Sequence, residues 1–156
     1  MEKNYLCIMS RVSALYHIVF CTKHRRFTIT EAFLEDVYRY IWSETRNLDC
    51  KLLRIGGIPN HLHLLIDLHP SVSLSDYVKT IKAKSSFWLR RDTRFSDFDG
   101  WAKEYFAATL SADGRNAVTE YISSQKEHHG RVSFDDELVR LHIDSGVAYD
   151  DRNMRD

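Results

Sequence analysis

Proline and glycine are scarce in this chain, two and six among 156 residues, and their scarcity excludes long linkers, repeats and low-complexity tracts. Long apolar runs are missing too. No stretch approaches the ~20 residues that span a bilayer, so no membrane helix is expected. The opening MEKNYLCIMSRVS lacks an apolar signal core, which argues against secretion and for a cytoplasmic location. Cysteine is limited to Cys7, Cys21 and Cys50. An odd number without C-x-x-C spacing suits a reducing compartment rather than a disulfide framework. Charge of one sign is absent as well: 22 basic and 22 acidic residues leave a formal net charge of zero. That excludes a uniformly basic binder of any duplex and leaves room for a local basic surface. No glycine-rich loop for a nucleotide cofactor is present.

The composition, 44% hydrophobic and 28% charged, is that of a globular domain. One domain over 1–156 is expected, with its core at about 14–130 and a C-terminal helix and frayed tail over 131–156. LYHIVFCTKHRR alternates Tyr16, Ile18 and Phe20 against His17, Val19 and Cys21, a strand that ends in a basic turn. Thr30 can cap a helix with Phe33, Leu34, Val37 and Ile41 on one face. CKLLRIGGIPN and HLHLLIDLHP read as two antiparallel strands joined at Pro59–Asn60. Ser73 with Asp76 opens a helix that turns Leu74, Tyr77, Val78, Ile81, Trp88 and Leu89 inward. WAKEYFAATL reads as a fourth strand, and Asp113 caps a helix that Gly130 stops. Ser133 starts a last helix with Phe134, Leu138 and Leu141 inward. The order predicts an α+β, ferredoxin-like split β-α-β-β-α-β fold: a four-stranded antiparallel sheet with two helices on one face, plus C-terminal helices.

The chemistry sits on the third strand. Leu62, Leu64 and Ile66 point one way, so His61 and His63 lie side by side on the other face. Two imidazoles are too few for a catalytic metal site. Tyr121 and Gln125 lie one turn apart on the later helix, and His128 continues the stripe. A glutamine oxygen suits Mg²⁺ or Mn²⁺, which makes His61, His63 and Gln125 candidate ligands and Tyr121 a candidate nucleophile. His128 and His129 can equally be a solvated helix end. Lys23, Arg25 and Arg26 in the basic turn, and Lys79, Lys82 and Lys84 on the second long helix, are candidate DNA phosphate contacts.

NHLHLL followed by EYISSQKEHH resembles the HUH single-tyrosine transposases of bacterial insertion sequences, the 200/605 group. YHIVFCTKHRR and WAKEYFAATL extend the likeness over about Tyr16 to Gly130. Asn60 stands where one common variant of the motif has Asp, a change that removes no ligand. The resemblance implies that His61, His63 and Gln125 hold a divalent cation against the scissile phosphate of single-stranded DNA. It implies that Tyr121 attacks phosphorus, leaving a 5′-phosphotyrosine and a free 3′-hydroxyl, at element ends marked by hairpins. It also implies a homodimer in which one subunit's tyrosine serves the other's histidines. Two other readings keep the site and change the outcome: a domesticated relative that binds or nicks hairpins, and a metal-dependent phosphoesterase with no covalent intermediate. An RNA-binding module on the same sheet would use Tyr105 and Phe106, but no matching aromatic motif accompanies them.

Overall fold

The computed structural model describes residues 11–150. Cys7 and the tail from residue 151 onward lie outside the described residues. Four strands, β1 (Leu15–Cys21), β2 (Lys51–Ile58), β3 (His61–Asp67) and β4 (Phe106–Thr109), form one sheet in the order β2-β3-β1-β4, with every neighbour antiparallel. This is the ferredoxin-like arrangement that the alternation pattern predicts. Helices α1 (Leu34–Asn47) and α2 (Leu74–Arg91) cover one face of the sheet.

Side-chain alternation decides what each face meets. Ile18 and Phe20 of β1 join Leu62, Leu64 and Ile66 of β3 in a main core completed by Val37, Ile41, Tyr77, Val78, Ile81 and Leu89. Full burial of such side chains stabilises the fold by roughly 1.5–3 kcal/mol each. The Ser73 hydroxyl accepts from the Asp76 amide at 3.1 Å and fixes the start of α2. Trp88 is a packing residue, stacked on Tyr40 with centroids 4.7 Å apart. Among the described residues no helix is long and apolar enough to cross a membrane.

Three local expectations change. α1 begins after a short 3-10 turn over Glu31–Phe33, and the Thr30 hydroxyl donates to the Arg94 carbonyl instead of capping. β4 is shorter than WAKEYFAATL: Trp101 bridges Thr22 and the Ala102 amide donates to the Cys21 carbonyl at 2.8 Å, but the carbonyls of Ala102 and Lys103 accept from Lys82 Nζ, at 2.6 and 2.9 Å, and the ladder resumes only at Phe106. The helix after β4 begins without an Asp113 side-chain cap and is broken at Ser124 into α3 (Arg115–Ser123) and α4 (Gln125–His128). Ser123 and Ser124 donate to the carbonyls of Thr119 and Tyr121, back-bonding that bends helices.

The second face of the sheet is covered by the chain's own C-terminal helices. α3 lies against β2 so closely that a Cβ on Gly56 would sit 2.3 Å from the Ile122 carbonyl oxygen. Ile122 is fully buried there. α5 (Phe134–Ser145) packs Phe134 and Leu138 on Val19, Cys21 and Phe106. Ser133 caps α5 by accepting from the Asp136 amide at 3.1 Å. Arg25 of the basic turn, itself buried, pairs with Asp135 and ties the start of α5 to the end of β1.

Candidate metal centre and active site

β3 delivers His61 and His63 onto the face under α3–α5, and both are fully buried. β1 adds His17, whose Nε2 lies 2.8 Å from His63 Nδ1 in a hydrogen bond. Phe134 stacks on His61 at 3.8 Å between centroids and 9° between planes, which fixes that ring. The broken helix still brings the expected pair to the same place. Gln125 Nε2 donates to the Tyr121 carbonyl, and this turns Gln125 Oε1 toward His61 Nε2, 3.2 Å away, and His129 Nε2, 3.0 Å away.

At the centre stands Glu137 of α5, a residue the sequence pattern did not single out. Its Oε1 lies 3.0 Å from His63 Nε2, 3.1 Å from His129 Nε2 and 3.3 Å from His61 Nε2. Its Oε2 accepts a short hydrogen bond from the Tyr121 hydroxyl. His128 Nε2 is 3.0 Å from the same oxygen but lacks hydrogen-bond geometry, which leaves that nitrogen without a partner. His61, His63, His129 and Glu137 offer ligand atoms all within 4.8 Å of one another.

The hydrogen bonds set the ring tautomers. Asn60 donates its amide to the Arg25 carbonyl, so Asn60 Oδ1, 2.7 Å from His61 Nδ1, must accept from that nitrogen. The Val132 carbonyl, 2.9 Å from His129 Nδ1, accepts likewise. A neutral ring with its proton on Nδ1 presents a lone pair at Nε2. Both lone pairs therefore aim at the oxygens of Glu137 and Gln125, acceptors facing acceptors. Ring protonation could relieve this, but burial opposes it. His61 is pushed down, His63 to about 4 and His17 to about 3, in each case chiefly by loss of water. Burial also opposes ionisation of Glu137, yet the nitrogens of His129, His61 and His63 hold its carboxyl well below the usual range. Neutral His61 and His63 beside an ionised carboxylate are compatible when positive charge other than a proton on those two rings lies between them. The residues thus fit a divalent cation with imidazole and carboxylate ligands.

Tyr121 is raised above the ordinary phenol range, first by burial and then by Glu137. Its ring edge meets His63 and His17, with centroids 5.6 and 6.0 Å away. A cavity of about 280 Å³ opens beside it, lined by Tyr121, His128, Glu137 and Arg140.

The family resemblance implies a site shared between two subunits, whereas within this single chain all of these residues come together. The reason is the open backbone at Gly56, which lets α3 dock on its own sheet and bury Ile122. Two of the six basic candidates also turn inward: Arg25 to Asp135, and Lys82 to the loop carbonyls. Arg26 pairs with Asp99 and Lys84 with Glu44, whereas Lys79 is exposed and Lys23 half-buried.

His17 and Glu137 were legible in part. β1 alternation puts His17 on the histidine face. Glu137 interrupts the apolar stripe of Phe134, Leu138 and Leu141, an acid at a position that should be inward.

Comparison with known proteins identifies the family and the fold. Residues 10–125 match the family model described as "Transposase IS200 like". The transposase for insertion sequence element IS200 of Salmonella typhimurium is 30% identical over 129 residues, 76% of this chain and 80% of that protein. The ISDra2 transposase TnpA of Deinococcus radiodurans is 26% identical over 120 residues, 72% of this chain and 84% of that protein. Two solved structures share the fold. A putative transposase from Deinococcus radiodurans superposes with a TM-score of 0.56 at 20% identity, over 75% of this chain and 94% of that one. A REP-associated tyrosine transposase bound to a REP hairpin gives a TM-score of 0.60 at 14% identity, over 90% of each chain.

Proposed function

Because the chain belongs to the IS200-like transposase family, we propose that it cuts and rejoins single-stranded DNA through Tyr121, with a divalent cation held by His61 and His63. One observation carries the reading: the Tyr121 hydroxyl, both β3 histidines and Gln125 converge beneath α3 and α5 in one chain. The cation, Mg²⁺ or Mn²⁺, would polarise a phosphate oxygen and offset charge as it develops. Everything else falls to the protein.

Tyr121 Oη attacks phosphorus, the P–O3′ bond breaks, and the products are a 5′-phosphotyrosine and a 3′-hydroxyl. The phosphotyrosine keeps the ester's energy, so the 3′-hydroxyl of another strand can displace the tyrosine without ATP. A phenol with pKa about 10 in water is a poor nucleophile, and burial beside Glu137 makes its ionisation harder still. Positioning must therefore supply much of the rate. The Glu137 hydrogen bond and the edge contacts with His17 and His63 hold the ring for that purpose. Gln125, tied to the Tyr121 carbonyl, couples nucleophile to cation site and offers its Oε1 beside His61 as a further oxygen ligand.

The substrate is read as DNA hairpins at element ends, the ligand type named for one fold neighbour. A neutral chain suits such localised recognition, and a reaction on the chromosome belongs in the bacterial cytoplasm.

Labelled single-stranded element ends with Mg²⁺ or Mn²⁺ should yield a protein–DNA adduct that survives denaturation and disappears with chelator. Tyr121→Phe should abolish it. Cleavage without an adduct would point to a phosphoesterase, and hairpin binding without cleavage to a domesticated binder. Either result sinks the transposition mechanism.

A further inference from the structure

We propose that His129 and Glu137, which lie beyond the family-matched residues 10–125, complete the metal centre with His61 and His63, and that Glu137 bridges from the cation to Tyr121. The inference rests on the reading of His61 and His63 as ligands and extends it to α5, which becomes part of the catalytic site.

Four observations support it. First, Glu137 Oε1 approaches His61, His63 and His129 together, at 3.3, 3.0 and 3.1 Å. Second, the Nδ1 protons of His61 and His129 are committed to Asn60 Oδ1 and the Val132 carbonyl, the outer hydrogen bonds that orient imidazole ligands. Third, Glu137 is 2% exposed, and among the described residues no lysine or arginine forms an ion pair with it. A buried carboxylate is costly unless a cation joins it. Fourth, its second oxygen is committed to the Tyr121 hydroxyl. A carboxylate with one oxygen on the cation and the other on the nucleophile sets their separation by its own bond lengths.

The position of Glu137 follows from local sequence. Ser133 caps α5, and Asp135, Asp136 and Glu137 occupy its first turn, where the helix dipole favours acids. Phe134 and Leu138 bury the same face, and Phe134 stacks on His61, so Glu137 is carried inward between them. Three imidazoles and one carboxylate also favour Mn²⁺ over Mg²⁺, because Mg²⁺ prefers an all-oxygen shell and keeps its waters.

Mn²⁺ binding to the whole chain without DNA tests this, read by electron paramagnetic resonance of free Mn²⁺. Glu137→Gln and His129→Ala should each weaken Mn²⁺ binding by about 10–100-fold or more, the range for disturbing even an outer partner of a metal ligand. The wild type should bind Mn²⁺ more tightly than Mg²⁺ in competition. Wild-type Mn²⁺ affinity in folded Glu137→Gln overturns the proposal. Should that variant fail to fold, the wild type grown with carboxyl-¹³C glutamate decides. A ¹³C coupling to bound Mn²⁺ supports a glutamate ligand, and its absence overturns one. Because the metal is measured without DNA, the two readings fail separately. Missing adducts with Glu137-dependent Mn²⁺ binding intact would count against the transposition chemistry alone.

Discussion

Replacing Gly56 by alanine should cripple the enzyme without touching any group that takes part in the reaction. The added Cβ would lie 2.3 Å from the Ile122 carbonyl oxygen and 3.1 Å from Ile122 Cγ2. Carbon–oxygen contacts settle near 3.3 Å, so α3 must lift by about 1 Å. β2 is an edge strand, but it is held by pairing with β3 on both sides of Gly56, from Lys51↔Asp67 to Ile58↔His61, so the strain falls on α3. Overpacking of this kind costs about 1–3 kcal/mol, and a chain of this size then loses roughly 2–4 °C in Tm per kcal/mol. The effect on chemistry should be larger. Tyr121 is one residue from Ile122, and an ångström of misplacement at a reacting group costs about 100-fold in rate. Single-turnover adduct formation with saturating DNA and Mn²⁺ should fall by that order, while hairpin binding stays near wild type. Adduct formation within about twofold of wild type, in a protein whose Tm has dropped, would refute the claim that Tyr121 works with α3 docked on its own sheet.

Three further outcomes are expected. Mixing inactive His63→Ala with inactive Tyr121→Phe should restore no adduct, since every one-chain site keeps a defect; recovery of part of the wild-type activity would show sharing between subunits. In chelator, stability should fall with acid. The folded-state pKa values of His63, about 4, and His17, about 3, lie below the 6.5 of the free side chain. The unfolded state therefore binds more protons in that window, and each group costs up to about 1.4 kcal/mol per pH unit as pH drops from about 6.5 toward its folded value. Urea midpoints at pH 7.5, 6 and 5 check this, and a flat profile would contradict burial of neutral rings. Finally, exposed Lys79→Ala should lower the salt dependence of DNA binding by about one counterion if that face meets phosphates. Lys82→Ala should instead lower Tm, because its ammonium is committed to the loop carbonyls.

Short-range pattern determined a good deal of this protein. Period-two alternation in β1 and β3 sorted Ile18, Phe20, Leu62, Leu64 and Ile66 onto one face, and His17, His61 and His63 onto the other, because a strand has no other way to place successive side chains. Helical spacing likewise put Tyr121 and Gln125 on one stripe, and it survives the break at Ser124. Tertiary packing decided what that stripe faces. Nothing local says whether α3 folds back on its own sheet, and the answer hangs on a missing side chain at Gly56, far away in sequence. Glu137 shows the same limit. An acid among Phe134, Leu138 and Leu141 stands out in the sequence only as an anomaly, since burying a carboxylate is costly. Its meaning emerges when α5 docks and Oε1 meets nitrogens carried by β3 and by the turn after α4. Local sequence sets the direction in which a side chain points, and the fold alone determines which charges it meets there.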